Sequence, residues 1–142
     1  MPGPIEPYLK LGAICERVLQ EKDGVLSIIR MVDQFTLTVA GKEPPDQLPE
    51  GEALLTIVMS WVGGLGRHEA VFNIVSPSGE AQPSPRSWSF TLDAINRGHN
   101  IIVTLPVKIR REGIYWIEFI LNGQVKSRIP FQIQYEPLES RV

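Results

Sequence analysis

The sequence predicts an all-β fold, a two-sheet antiparallel sandwich of about eight strands. Two observations carry the prediction. The stretch from Gly113 to Ile133 reads as two strands joined by Asn122-Gly123, a dipeptide that tolerates the positive φ of a tight hairpin turn. The rest of the 142-residue chain breaks into short runs rich in Val, Ile, Thr and Phe, punctuated by 12 glycines and 12 prolines.

Taken in order, Met1 to Pro7 is proline-rich and is expected to be a poorly ordered lead-in to a single domain over residues 8–136. Tyr8 to Glu21 supports two readings. Leu11, Ile14, Cys15, Val18 and Leu19 fit a helical face, whereas Leu11, Ala13 and Cys15 fit strand alternation. A strand feeding the Lys22-Asp23-Gly24 turn suits the all-β remainder better. In Val25 to Val39, Val25, Ile29, Met31, Phe35, Leu37 and Val39 share one parity, and the length calls for a bend or bulge near Asp33-Gln34. Ala40 to Glu52, with Gly41, Pro44, Pro45, Pro49 and Gly51, forms the longest loop.

Ala53 to Val62 is a strand with Ala53, Leu55, Ile57, Met59 and Trp61 on one face and Leu54, Val58 and Val62 on the other. Gly63-Gly64-Leu65-Gly66 turns the chain into His68 to Ser76, where Ala70, Phe72 and Ile74 alternate with Val71, Asn73 and Val75. Pro77 to Pro85 is expected as loop. Arg86 to Asp93 sets Trp88, Phe90 and Leu92 against Ser87, Ser89, Thr91 and Asp93. His99 to Ile109 places Ile101, Val103, Leu105 and Val107 on one face. Pro106 cannot donate to a ladder, so this strand ends, bulges or lies on an edge there. In the hairpin, Tyr115, Ile117, Phe119 and Leu121 share a face that Val125, Ile129, Phe131 and Ile133 are set to join, and residues 137–142 form a polar tail.

Hydrophobic residues make up 43% of the chain and charged residues 21%, a globular mix. A formal net charge of -2 without basic runs argues against nucleic acid or an anionic membrane as partner. The single Cys15 excludes an internal disulfide and any multi-cysteine zinc site. The N-terminus lacks the pattern of a signal peptide, and no apolar run approaches the roughly 20 residues that cross a bilayer. A reducing, cytoplasmic location is expected.

Two segments carry a family likeness. One is Cys15-Glu16-Arg17-Val18-Leu19 with Asp23-Gly24-Val25-Leu26-Ser27-Ile28-Ile29-Arg30-Met31-Val32-Asp33; the other is Gly113-Ile114-Tyr115-Trp116 with Asn122-Gly123 and Ile129-Pro130-Phe131. Together they resemble a family of small bacterial β-sandwich proteins known as a domain of unknown function, over nearly the whole chain. The resemblance implies an immunoglobulin-like or jelly-roll-like sandwich with the first segment as a strand. It implies no catalytic residue and no ligand.

Candidate chemistry is sparse. Gly63-Gly64-Leu65-Gly66 precedes a strand, whereas a phosphate loop opens a helix, so a hairpin loop is the better reading. His68 and His99 each start a strand and read as exposed strand ends. A catalytic pair with Asp93, or a metal site with Glu69, has no supporting spacing. Cys15 reads as a small buried hydrophobe. Calcium demands clustered acidic oxygens, and the four aspartates are scattered, although Glu43, Asp46, Glu50 and Glu52 make the long loop acidic.

The tryptophans say more. Trp61 and Trp88 share faces with large apolar residues and are expected in the core. Trp116 has the opposite parity from Tyr115, so Ile114, Trp116 and Ile120 fall on an outer sheet face, with Leu54, Val58 and Val62 joining them if their strand lies in the same sheet. Such a face is either a contact surface or is covered by the N-terminal segment or the long loop. The expected function is a non-enzymatic interaction or scaffold module without a cofactor, self-associating as a homodimer or binding another protein. The competing reading is a glycan- or peptide-binding module using Trp116 or the Gly41–Gly51 loop.

Overall fold

The structure is a computed structural model that describes residues 4–39, 51–109 and 111–137. Most of the proline-rich loop and the tail beyond Pro137 lie outside these residues. The described strands are β1 (Tyr8–Gln20), β2 (Leu26–Met31), β3 (Gln34–Val39), β4 (Gly51–Val62), β5 (Gly66–Val75), β6 (Ala81–Pro83), β7 (Trp88–Leu92), β8 (Gly98–Ile109), β9 (Gly113–Leu121) and β10 (Gln124–Pro137). The first sheet has the order β2-β1-β4-β8. The second has the order β3-β10-β9-β5, with β6 and β7 both paired to the far side of β5. The fold is all-β, as the alternation predicts, and β1 resolves the ambiguous N-terminal segment as a strand. Among the described residues no helix is long and apolar enough to cross a membrane.

One core lies between the sheets. The first sheet contributes Ile14, Leu55, Ile57, Met59, Trp61 and the alternate residues of β8; the second contributes Phe72, Ile74, Phe90, Leu92, Tyr115, Ile117, Phe119, Leu121, Phe131 and Ile133. Trp61 is fully buried, and its Nε1 has no hydrogen-bond partner. Trp88 only half joins the core, with its ring stacked on Phe72 at 5.9 Å.

Where the structure departs from expectation, a local physical cause is visible. The Val25–Val39 run is two strands in different sheets. Arg30 adopts φ 55, rare for a residue with a Cβ, just before the chain leaves the first sheet. Val32 N–H then donates to Ile14 C=O, and Asp33 C=O accepts from Gln132 N–H in the second sheet. Parity is not carried across that change of sheet: Met31 is exposed while Phe35 packs edge-on against Phe131. Moreover, β3 runs parallel to β10, so the second sheet is mixed rather than purely antiparallel.

The stretch expected as loop after Pro77 contains β6, short enough to accept Pro83 on a sheet edge. Pro106 lies on β8, the edge of the first sheet, as its missing N–H requires. There the Gln82 side chain donates through Nε2 to Pro106 C=O (3.1 Å) and accepts from Lys108 N–H through Oε1 (3.2 Å). One amide side chain thus takes the place of a neighbouring strand and ties β6 to β8.

From residue 4 onward the lead-in runs beside the glycine loop. Ile5 and Leu65 exchange two backbone hydrogen bonds, of 3.0 and 2.9 Å, and Pro7 is buried. A Cβ on Gly64 would stand 2.6 Å from both Ile5 O and Pro7 N. The glycine loop therefore exists to admit the chain's own N-terminal segment at close approach.

Candidate functional site

The outer face of the second sheet follows from strand register. On β9, Ile114, Trp116, Glu118 and Ile120 point away from the core. Trp116 pairs with Pro130 on β10 and Val75 on β5, and Ile120 pairs with Val125 and Val71. Val125 is a residue the alternation misplaces. A bulge between Val125 and Ser127 shifts the register, so Val125 joins Ile120 on the outside, 51% exposed, instead of Phe131 in the core. Ile114 is equally exposed at 51%. The result is an outer face with two apolar rows, Val75-Trp116-Pro130 and Val71-Ile120-Val125, and a polar row of Asn73, Glu118 and Arg128 between them.

Charge is placed within that face. The Arg128 guanidinium lies 4.6 Å from the Trp116 ring centre, and its Nε is 3.6 Å from Glu118 Oε2. A guanidinium over an indole is an attractive contact and also covers one ring face.

Leu54, Val58 and Val62 do not join this surface. They lie on β4, on the outer face of the first sheet, on the opposite side of the molecule from Trp116. Leu54 is 73% exposed, Val62 is partly covered, and Val58 is fully buried beside Ala13 and Ile102. The six residues expected as one interface therefore divide between two faces.

The polar candidates are also placed. His68 is buried at 4% exposure, not an exposed strand end. Its Nε2 is 2.8 Å from Leu65 C=O and its Nδ1 is 3.0 Å from Asn122 Nδ2, so Nε2 donates to the carbonyl and Nδ1 accepts from the amide. His99 stacks on the Phe90 ring at 4.7 Å, and His68 meets the same ring at 6.1 Å. Both histidine rings thus pack against the one Phe90 ring. Cys15 is buried in register with Thr56 and Met31, and burial pushes its thiol pKa up, away from the reactive thiolate. Among the described residues no cluster of His, Cys, Asp or Glu could hold a metal ion.

Burial holds the pKa of His99 below its ordinary 6.5. As pH falls through about 6.5 the unfolded chain takes up this proton before the folded one, so stability is expected to drop on the acid side. His99→Phe keeps the stack on Phe90 and removes the titration. Urea unfolding of both proteins across this range is expected to show a flatter acid limb in the variant. Parallel limbs would mean that His99 contributes nothing to it.

No family model matches the chain, and no curated protein matches it.

Proposed function

We propose that the protein is an immunoglobulin-like sandwich acting as a non-enzymatic interaction module, and that it pairs with a second copy of itself through the outer face of the second sheet. The observation that carries the reading is the apolar surface of Ile114, Trp116, Ile120, Val71, Val75, Val125 and Pro130, set on either side of the Glu118–Arg128 pair. Patches of this kind on a folded domain mark contact surfaces. A second copy fits because the patch carries both signs of charge. A two-fold axis through it brings Arg128 of each copy towards Glu118 of the other, and isologous pairing requires such self-complementarity. Edge-to-edge pairing is less favoured, since Gln82 and Pro106 block part of the β8 edge.

Topology supports the immunoglobulin-like form. β1-β4-β8 corresponds to strands A, B and E, and β10-β9-β5 to G, F and C. At the start of β9 the Tyr115 hydroxyl donates to Arg111 C=O at 2.8 Å, the bond of a tyrosine corner in strand F. The glycan-platform reading is weaker, because Arg128 already lies over the Trp116 ring on which a sugar would stack.

Trp116→Lys places an ammonium in the patch without touching the core. It is expected to convert the protein to monomer in size exclusion, with a stability change of about 1 kcal/mol or less. A variant that unfolds would place Trp116 in the core, and one that elutes as wild type would remove the face from the interface.

A further inference from the structure

We propose that a cleft at one end of the sandwich, separate from the outer face of the second sheet, binds a carboxylate-bearing ligand. The cleft has a volume of about 450 Å³ and lies between the Ser76–Glu80 turn, the last residues of β8 and the corner that leads into β9. Its base is fixed: Ile74, Val107 and Tyr115 are all buried core residues.

Its walls are held by hydrogen bonds that leave little freedom. Gln82 is tied at both ends of its amide to the β8 backbone. Ser76 Oγ accepts from Glu80 N–H at 3.1 Å and meets Ser78 Oγ at 3.0 Å. The Tyr115 hydroxyl anchors the corner through Arg111 C=O. Gly113, at φ 133, lets Pro77 close over the start of β9, where a Cβ would come within 3.0 Å of Pro77 Cγ. A preformed cleft of this kind binds without first paying for loop ordering.

The charges on the rim select the ligand. Lys108 and Arg111 form no ion pair with any described residue, and Glu80 is the only carboxylate among the described lining residues. Two cations against one anion among the described lining residues favour a ligand that carries a carboxylate. Arg111 suits a bidentate carboxylate contact, and Lys108 adds a second charge. A small organic acid and the C-terminal end of a peptide share this chemistry.

Amide chemical shifts of the full chain, followed by NMR during titration, distinguish the two sources. The probes are phenylpropionate, an N-acetylated tripeptide ending in leucine, and the same tripeptide as its C-terminal amide. Either free acid is expected to shift the amides of Ser76–Gln82, Lys108 and Arg111 with a Kd of about 1 mM or tighter. Shifts from the organic acid alone assign a small-molecule site, and shifts from the free-acid peptide assign a chain terminus. Lys108→Gln with Arg111→Gln, both exposed side chains, is expected to weaken binding by about tenfold or more. No shift with either acid, equal binding of the amide, or undiminished binding to the double variant would each overturn the proposal.

Discussion

Phe119→Ala is expected to lose about 3–5 kcal/mol of stability, a large part of what holds a domain of this size together. Phe119 is fully buried in the middle of β9, paired with Phe72 on one side and Ser127 on the other. Its ring crosses the sandwich to the one place on β1 that has no side chain. A Cβ on Gly12 would stand 2.6 Å from Phe119 Cε2 and 2.9 Å from Leu9 Cδ2. Truncation therefore leaves a cavity that Gly12 cannot refill, and the penalty should fall at the upper end of the range. Gly12→Ala alone is expected to cost about 1–3 kcal/mol by overpacking. In the Phe119→Ala background the same change should be neutral or favourable. Urea unfolding of the four proteins gives the coupling directly, and additive effects would mean the two residues do not interlock.

Asn122→Ala is expected to cost about 2–4 kcal/mol, large for an exposed turn residue. Asn122 takes φ 50 and Gly123 φ 82, the positive angles of a tight hairpin turn. The side chain does more than tolerate that angle. Its Oδ1 accepts from Glu69 N–H at 3.0 Å, while its backbone N–H donates to Glu69 C=O at 2.8 Å. Its Nδ2 donates to buried His68 Nδ1 and reaches Glu6 Oε2, while Oε1 of the same carboxylate pairs with Lys126. Alanine would leave the His68 ring nitrogen buried without its donor and strain the turn. Asn122→Gly keeps the turn conformation but loses the side-chain bonds, so it should recover only part of the loss. Hydrogen exchange at Ile5 and Leu65 is expected to accelerate in both variants, because Asn122 ties the N-terminal segment to this end of the sandwich. Unchanged exchange there would separate the turn from the segment.

Much of this arrangement was legible in the sequence. Period-two alternation in Leu55–Trp61, Trp88–Leu92, Ile101–Val107 and Tyr115–Leu121 assigns inner faces that burial bears out, with Trp88 only half covered. Pro106 marks an edge strand because its chemistry forbids an inner one. What escaped was everything that alternation cannot encode. The change of sheet after Arg30 resets parity without any glycine to mark it, and the bulge at Lys126 moves Val125 from core to surface. His68 was misplaced because a strand-end position says nothing of the ring and turn that later cover it. The interface candidates divided for a related reason: parity tells which face of a strand is outward, but not which sheet the strand joins.

The central claim is that the outer face around Trp116 pairs with its copy. Static light scattering coupled to size exclusion, over a range of loading concentrations, tests it most directly. The mass should approach twice 15.9 kDa and fall towards 15.9 kDa on dilution. A single species at 15.9 kDa that does not change with concentration would contradict it.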